Sequence, residues 1–300
     1  MPELFVIHDG ERVPFSREIL ARSIAIAGES KARAYSLSEK IMRELLKEKT
    51  DIEDVELAKM VYQKLKMKSP ELAERYQFWR RFKKSKDALI ILIAGGTGTG
   101  STSIGIELSN RLGISSISTD IIRSVLRGHI PKHLRPSLHE SSYLAWKHFE
   151  FASEKKKVLV GFIDHIEPVA RSTELVIERA IVEGFPLVVE GVHIVPGFIS
   201  EDLLEKPFVH LFALDISPEA HRSHFTLREY QTKYRRPAER YLEHFKEIRQ
   251  IQRFIVSQAR KEKVPVIRSE DTVKAADEII KRVTRDMMET YEFEDSNSTK

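Results

Sequence analysis

The stretch IILIAGGTGTGSTSIGIEL, residues 90–108, places Gly95, Gly96, Gly98 and Gly100 within six consecutive positions. An apolar run, Leu89–Ala94, precedes them, and a helical pattern follows. Glycines between a strand and a helix let consecutive backbone N–H groups converge, and the helix N-terminus adds partial positive charge. Residues Gly95, Gly96, Thr97, Gly98, Thr99, Gly100, Ser101, Thr102 and Ser103 therefore read as a cradle for the phosphates of a nucleotide. Gly95 and Gly100 stand at the G-x-x-x-x-G spacing, and Thr102 occupies the hydroxyl position that holds Mg²⁺. An ordinary glycine-rich turn is the weaker alternative. Such loops carry lysine directly after the last glycine, where this chain has Ser101. Without that charge, negative charge on the β- and γ-phosphates needs another cation. Either a closing segment delivers one, or the protein binds nucleotide without turning it over well.

The segment HRSHFTLREYQTKYRRPAERYLEHF, residues 221–245, holds Arg222, Arg228, Arg235, Arg236 and Arg240. It is expected to be a lid that folds over ATP and excludes water, with Arg228, Arg235 and Arg236 as the compensating cations. A solvated helical face is the alternative. Adjacent arginines meeting a helix-disfavouring proline, in Tyr234-Arg235-Arg236-Pro237, favour the lid.

Asp120 and Arg123, three residues apart, share one helix face at the carboxyl end of a strand. There Asp120 can accept or orient an acceptor hydroxyl, and Arg123 can clamp an anionic substrate. A helix-capping Asp with an intrahelical ion pair is the plainer alternative. Open α/β sheets bind ligands at strand ends, which favours the functional reading. The run Val188-Val189-Glu190-Gly191-Val192-His193 ends an apolar strand in an acid, so Glu190 either holds Mg²⁺ through water or meets the acceptor. His193 is expected to be structural or substrate-orienting. For Asp164-His165 a helix-capping Asp and a catalytic role are weighted equally.

The elements that position these residues fall into two sets. Residues 1–86 open with an extended segment at Leu4–Ile7 and a hairpin signal at Asp9-Gly10. A Ser16 N-cap follows, then helical patterns over 32–49, 55–65 and 70–82. The charged stretch RRFKKSKD ends this set. From Ala88 onward, strands are predicted at 89–94, 114–118, 186–190, 209–215 and 264–267. Helices are predicted at 102–111, 121–126, 141–153, 169–183, 242–261 and 272–290. Strands joined by helices imply a parallel sheet covered on both faces. This second set is expected to span residues 87–291, with a polar tail at 292–300.

Composition narrows the function. Three hundred residues, 41% hydrophobic and 31% charged, describe an ordinary soluble chain. A formal net charge of +4 is too small for a dedicated nucleic-acid binder, although a local basic groove for phosphates fits. The absence of cysteine excludes disulfides and thiolate metal sites. No run approaches membrane-spanning length and the N-terminus lacks a signal pattern, so a cytoplasmic protein is expected. A lack of cysteine among many Lys, Glu and Arg also fits a heat-adapted source. A nucleic-acid kinase is disfavoured, because no basic stripe is interleaved with aromatics.

Taken together, GGTGTGSTSIGIELSNRLGI, STDIIRSVLR, LHESSYLAW, VVEGVHIVPG and the Arg-rich segment resemble the archaeal 2-phosphoglycerate kinases over nearly the whole chain. The resemblance implies an α/β P-loop kinase with a five-stranded parallel sheet. It implies transfer of the ATP γ-phosphoryl group to 2-phosphoglycerate, giving 2,3-bisphosphoglycerate en route to cyclic 2,3-diphosphoglycerate. ATP and Mg²⁺ are the implied cofactors, a small phosphorylated acid the partner, and a homo-oligomer fits. It further implies that Arg123, with Arg127 or His139, binds the anionic acceptor. His139, Ser141, Ser142 and Tyr143 form a hydroxyl-rich helix start that suits a phosphate or carboxylate, with N-capping by Ser141 or Ser142 as the alternative. Residues 1–86 resemble an ATP-cone module, a nucleotide-sensing helical unit. Ile7-His8 stands here where such modules carry Lys-Arg before Asp-Gly, so a packing or oligomerising role stands beside nucleotide sensing with at least equal weight.

Overall fold

The computed structural model describes residues 4–297 apart from 49, 50, 151–156, 232, 234 and 236. The chain divides into two compact units, residues 1–86 with 280–300, and residues 87–279.

In the first unit, β1 (Phe5–His8) and β2 (Glu11–Pro14) form a hairpin whose turn residues Asp9 and Gly10 both have positive φ. That is the primed turn an Asp-Gly pair favours. Helices α1 (Arg17–Ile26) and α2 (Lys31–Glu48) lead to a short β3 (Ile52–Glu53), which pairs parallel with β1. Helices α3 (Asp54–Lys66) and α4 (Pro70–Phe82) complete the N-terminal part. Ser16 and Ser69 accept hydrogen bonds from Ile19 N–H and Leu72 N–H, the side-chain caps their positions call for. Leu20, Ile24, Ile41, Leu45, Val61, Leu65 and Tyr76 fill this unit's core. Beside the hairpin, His8 lies 3.5 Å from Asp54, which also meets Arg80 at 2.7 Å.

The second unit is built on five parallel strands: β4 (Ile90–Ala94), β5 (Ser115–Ser118), β6 (Leu187–Gly191), β7 (Val209–Asp215) and β8 (Val266–Arg268). Their order is β5-β6-β4-β7-β8. Every residue of β4 is fully buried, as a central strand covered on both faces must be. The chain leaves β4 toward β5 on one side and later returns to β7 on the other. That reversal opens a crevice at the carboxyl ends of the strands. The helices are α5 (Ser101–Leu112), α6 (Thr119–His129), α7 (Lys157–Val182), α8 (Glu201–Leu204), α9 (Pro218–Gln231), α10 (Ala238–Leu242), α11 (Phe245–Lys261) and α12 (Thr272–Asn297).

Four expectations differ from this arrangement. The predicted helix over 141–153 is absent from its described residues, which form turns and one short 3₁₀ turn at Ala145–His148. A Cβ on Gly161 of α7 would collide with the Trp146 backbone, so this turn is seated directly against the helix. Second, α7 begins twelve residues before the predicted start and carries Pro168 in its interior. Proline cannot donate to the carbonyl four residues back. That carbonyl, on Asp164, accepts instead from the Arg135 guanidinium at 3.2 Å. Asp164-His165 is therefore mid-helix rather than at a cap. Third, the second unit was expected to reach residue 291, whereas residues from Ile280 group with the first unit. There Thr284 accepts a hydrogen bond from the buried Trp79 indole at 3.2 Å. Fourth, α12 continues to Asn297, so most of the expected polar tail is helical, and residues 298–300 lie outside the described residues.

Candidate active site

The loop between β4 and α5 takes its shape from its glycines. Gly98 and Gly100 have φ of +87° and +90°, the left-handed region that L side chains disfavour. Thr99 is fully buried and ties the loop to itself, its hydroxyl donating to the Gly96 carbonyl at 2.9 Å. Gly96 N–H donates to the Gln252 side-chain oxygen at 2.9 Å, and the Gln252 amide donates to the Leu214 carbonyl at 2.7 Å. One buried glutamine of α11 thus joins the loop to β7.

A cavity of about 550 Å³ lies over this loop. Gly95–Gly98 and Gly100–Ser103 line it, with Ser118, Asp120, Glu190, His224 and Arg228. Of the predicted loop residues, only Thr99 is turned away. The cavity therefore gathers the loop, the β5–α6 junction, the end of β6 and the α9 segment, the four features singled out in the sequence.

Glu190 is 3% exposed and is the loop's carboxylate neighbour. Its oxygens accept from Ser101 Oγ at 2.7 Å and Thr102 Oγ1 at 3.1 Å. Burial pushes its carboxyl above the usual carboxylate range, against hydroxyl donors that favour the anion. Ser101, where a lysine was expected, is thus a neutral donor to a buried acid. Mg²⁺ is a hard cation that takes one or two protein oxygens beside substrate phosphates and water. The adjoining Thr102 hydroxyl and Glu190 carboxylate fit that demand. Among the described residues, no group of three or more His, Asp or Glu side chains forms a separate metal cluster.

Asp120 is exposed in the first turn of α6, whose N-cap is Ser118, so it is free of the capping role considered for it. Arg123 is not among the cavity-lining residues. Its Nε donates to the Leu138 carbonyl at 3.0 Å and its Nη2 to the Glu140 carbonyl, so it braces the 136–140 segment. His139 Nε2 meets the Ile130 carbonyl at 2.8 Å, and Ser142 is buried outside the lining. These three predicted acceptor ligands are placed around the loop after α6, not in the cavity.

The expected lid divides. Its first half is α9, seated on the phosphate loop: His221 Nε2 donates to the Thr97 carbonyl at 2.8 Å, and His224 Nδ1 to the Gly98 carbonyl at 3.1 Å. Phe225, fully buried, stacks on Tyr241 with centroids 4.9 Å apart and fills the space beside Gly98. Arg228 lines the cavity and lies 5.8 Å from the Tyr241 ring. Arg235 is exposed and away from the lining, and Arg236 lies outside the described residues. His221, His224 and Phe225 were not singled out in the sequence. Their i, i+3, i+4 spacing, a single helix face, was the available signal. Gln252 carried none.

Behind the site runs a buried relay. His165 Nδ1 donates to the Ser137 carbonyl at 2.8 Å, which leaves its Nε2 as an acceptor. His193 Nε2, 3.2 Å away, must then carry the hydrogen, and its Nδ1 accepts from Thr119 Oγ1 at 2.8 Å. Burial keeps both rings neutral, with His165 at about 4 and His193 well below the usual imidazole value. Thr119, beside Asp120, is thereby bonded to a buried histidine pair that joins α6 to α7 and the end of β6.

The ATP cone domain family matches residues 6–85. Over most of its length the chain is similar to proteins named 2-phosphoglycerate kinase. The one from Methanothermobacter thermautotrophicus is 46% identical over 91% of this chain and 90% of that protein. The one from Methanopyrus kandleri is 42% identical over 92% and 85%. The one from Pyrococcus furiosus is 38% identical over 94% and 97%. With a phosphate loop, a buried strand-end acid and an N-terminal ATP cone along one continuous match, this chain belongs to the 2-phosphoglycerate kinase family.

Proposed function

We propose that this protein is a cytoplasmic enzyme that transfers the γ-phosphoryl group of ATP to the free hydroxyl of 2-phosphoglycerate. The products are ADP and 2,3-bisphosphoglycerate, the precursor of cyclic 2,3-diphosphoglycerate. The observation that carries this reading is the shared cavity: loop, Glu190, Asp120 and Arg228 all face one space. Backbone N–H groups of the loop hold the polyphosphate, apart from those of Gly96 and Thr99, which are bonded to Gln252 and to the Gly96 carbonyl. Asp120 orients the acceptor hydroxyl and receives its proton as the new O–P bond forms. The bond from the γ-phosphorus to the bridging oxygen breaks, and ADP leaves with that electron pair. Arg228 faces the transferring group and offsets its charge; positioning and electrostatics do most of the work in such transfers. Thr102 and Glu190 are the residues that would hold Mg²⁺, which neutralises phosphate charge when bound. No helix among the described residues is long and apolar enough to cross a membrane.

The test is incubation with ATP, Mg²⁺ and a panel of phosphorylated three-carbon acids. A doubly phosphorylated product formed only with 2-phosphoglycerate supports the proposal. ADP release that ignores the acceptor overturns the acceptor assignment.

A further inference from the structure

Two histidines one turn apart on α9 touch the phosphate loop, and only one is closed off. His221 is fully buried with both nitrogens engaged: Nε2–H donates to the Thr97 carbonyl at 2.8 Å, and Nδ1 faces the Arg249 guanidinium at 3.3 Å. Burial first, and then Arg249, hold it neutral, with a pKa of about 4. His224 is different. Its Nδ1 donates to the Gly98 carbonyl at 3.1 Å, and its Cε1 lies 3.6 Å from where a Gly100 Cβ would stand. The ring lines the cavity, and among the described residues its Nε2 has no hydrogen-bond partner.

That geometry sets what the ring offers a ligand. With the Nδ1 hydrogen committed to the loop, a neutral ring presents an Nε2 lone pair, which repels phosphate oxygens. A protonated ring presents an N–H⁺ donor, and a charge-assisted bond to phosphate is among the stronger kinds. The ring edge sits at Gly100, directly before Ser101, where the loop's own cation is missing.

We propose that His224, protonated at Nε2 as a polyphosphate arrives, is the loop-side cation that Ser101 does not supply, so that nucleotide binding takes up a proton. This rests on the reading that nucleotide occupies this cavity. Arg228 on its own helix, Asp120 on α6 and Glu190 on β6 line the same cavity as the ring. Arg249 on α11 faces His221, one turn earlier, and Glu270 in the β8–α12 turn accepts from the Ser217 N–H just before α9. Arg228 and Arg249 oppose protonation and the carboxylates favour it. The incoming phosphates meet the ring at its open nitrogen and add to the effect of the carboxylates.

The experiment is calorimetric titration of ADP, without acceptor, at pH 8 in two buffers of different ionisation enthalpy. At that pH the nucleotide's own phosphates are fully ionised. Wild-type protein is expected to take up a substantial fraction of one proton. Its affinity should fall as pH rises from 7 to 9, by at most tenfold per unit for one linked proton. His224→Asn keeps an N–H donor for the Gly98 carbonyl and removes Nε2. It should bind ADP about tenfold more weakly, with no buffer dependence. His224→Gln serves as a second variant should that one fold poorly, and each is checked by its circular dichroism spectrum. Absence of ADP binding by the wild type defeats the site reading itself. Binding without proton uptake, or uptake that persists in both variants, overturns the role of His224 alone.

Discussion

Ser101 and Glu190 are joined by a 2.7 Å hydrogen bond in which the serine hydroxyl donates and the buried carboxylate accepts. The position that holds lysine in related loops is thus occupied by a neutral hydroxyl bonded to the strand-end acid. Glu190 carries a cost in the ligand-free protein. Its folded pKa lies above the unfolded value of 4.5, so the fold binds this proton more tightly than the unfolded chain does. Stability is therefore lost as pH rises from 4.5 through the folded value. Glu190→Gln should raise the melting temperature at pH 7 by about 2–4 °C, the effect of ~1 kcal/mol in a domain of this size. Turnover should fall about 10–100-fold, as when a metal-supporting group is removed. Unchanged turnover with full Mg²⁺ dependence would remove Glu190 from the site.

Gly98 is constrained twice. Its φ is +87°, and a Cβ there would collide with the Phe225 ring. Gly98→Ala should destabilise the second unit by about 1–3 kcal/mol and abolish nucleotide binding, because the loop must lift from α9. Trimming the ring as well, in Gly98→Ala with Phe225→Leu, should not restore binding, since the backbone strain remains. Recovery in the double variant, read by calorimetry, would show that crowding alone matters.

His165, His193 and His221 are buried neutral, with depressed pKa values. The unfolded chain binds these protons at about pH 6.5; in the folded one His165 and His221 bind theirs only at about 4, and burial lowers His193 well below its ordinary value. Stability is then full above pH 6.5 and is lost on acidification through that window, by about 1.4 kcal/mol per pH unit per proton. Urea midpoints measured from pH 7 to 4.5 should fall with a slope approaching three protons. A flat profile down to pH 5 would contradict the neutral assignments.

The relay behind Asp120 predicts a difference between two threonine substitutions. Thr119→Val leaves the buried His193 Nδ1 without its donor and should cost about 1–3 kcal/mol. Thr119→Ser keeps the hydroxyl and should recover most of that loss. Equal destabilisation of both variants, by chemical denaturation, would mean that the methyl group matters and the hydrogen bond does not.

Much of the fold was legible because it depends on local pattern. The loop glycines, the all-apolar β4, the Ser16 cap and the Asp9-Gly10 turn each state a backbone requirement that neighbouring residues satisfy. The start of α7 was not legible locally, because the carbonyl that Pro168 leaves without a donor is satisfied by Arg135, 29 residues before Asp164. The 141–153 segment failed for a related reason, since its backbone is fitted to Gly161 of a helix it precedes.

Within the site, the same division holds. Sequence alone determined that a glycine-rich loop lies between a buried strand and a helix, that acids end or follow the neighbouring strands, and that the loop has no lysine. Those are properties of spacing and residue type over a few turns of chain. Tertiary structure decided which side chains reach the cavity. Arg123, well placed by spacing, is drawn to the carbonyls of residues 138 and 140, while His224, which spacing marks only as sharing a helix face with His221 and Phe225, is set against Gly98. The direction of a side chain is fixed by the elements packed against it, and those elements are distant in sequence.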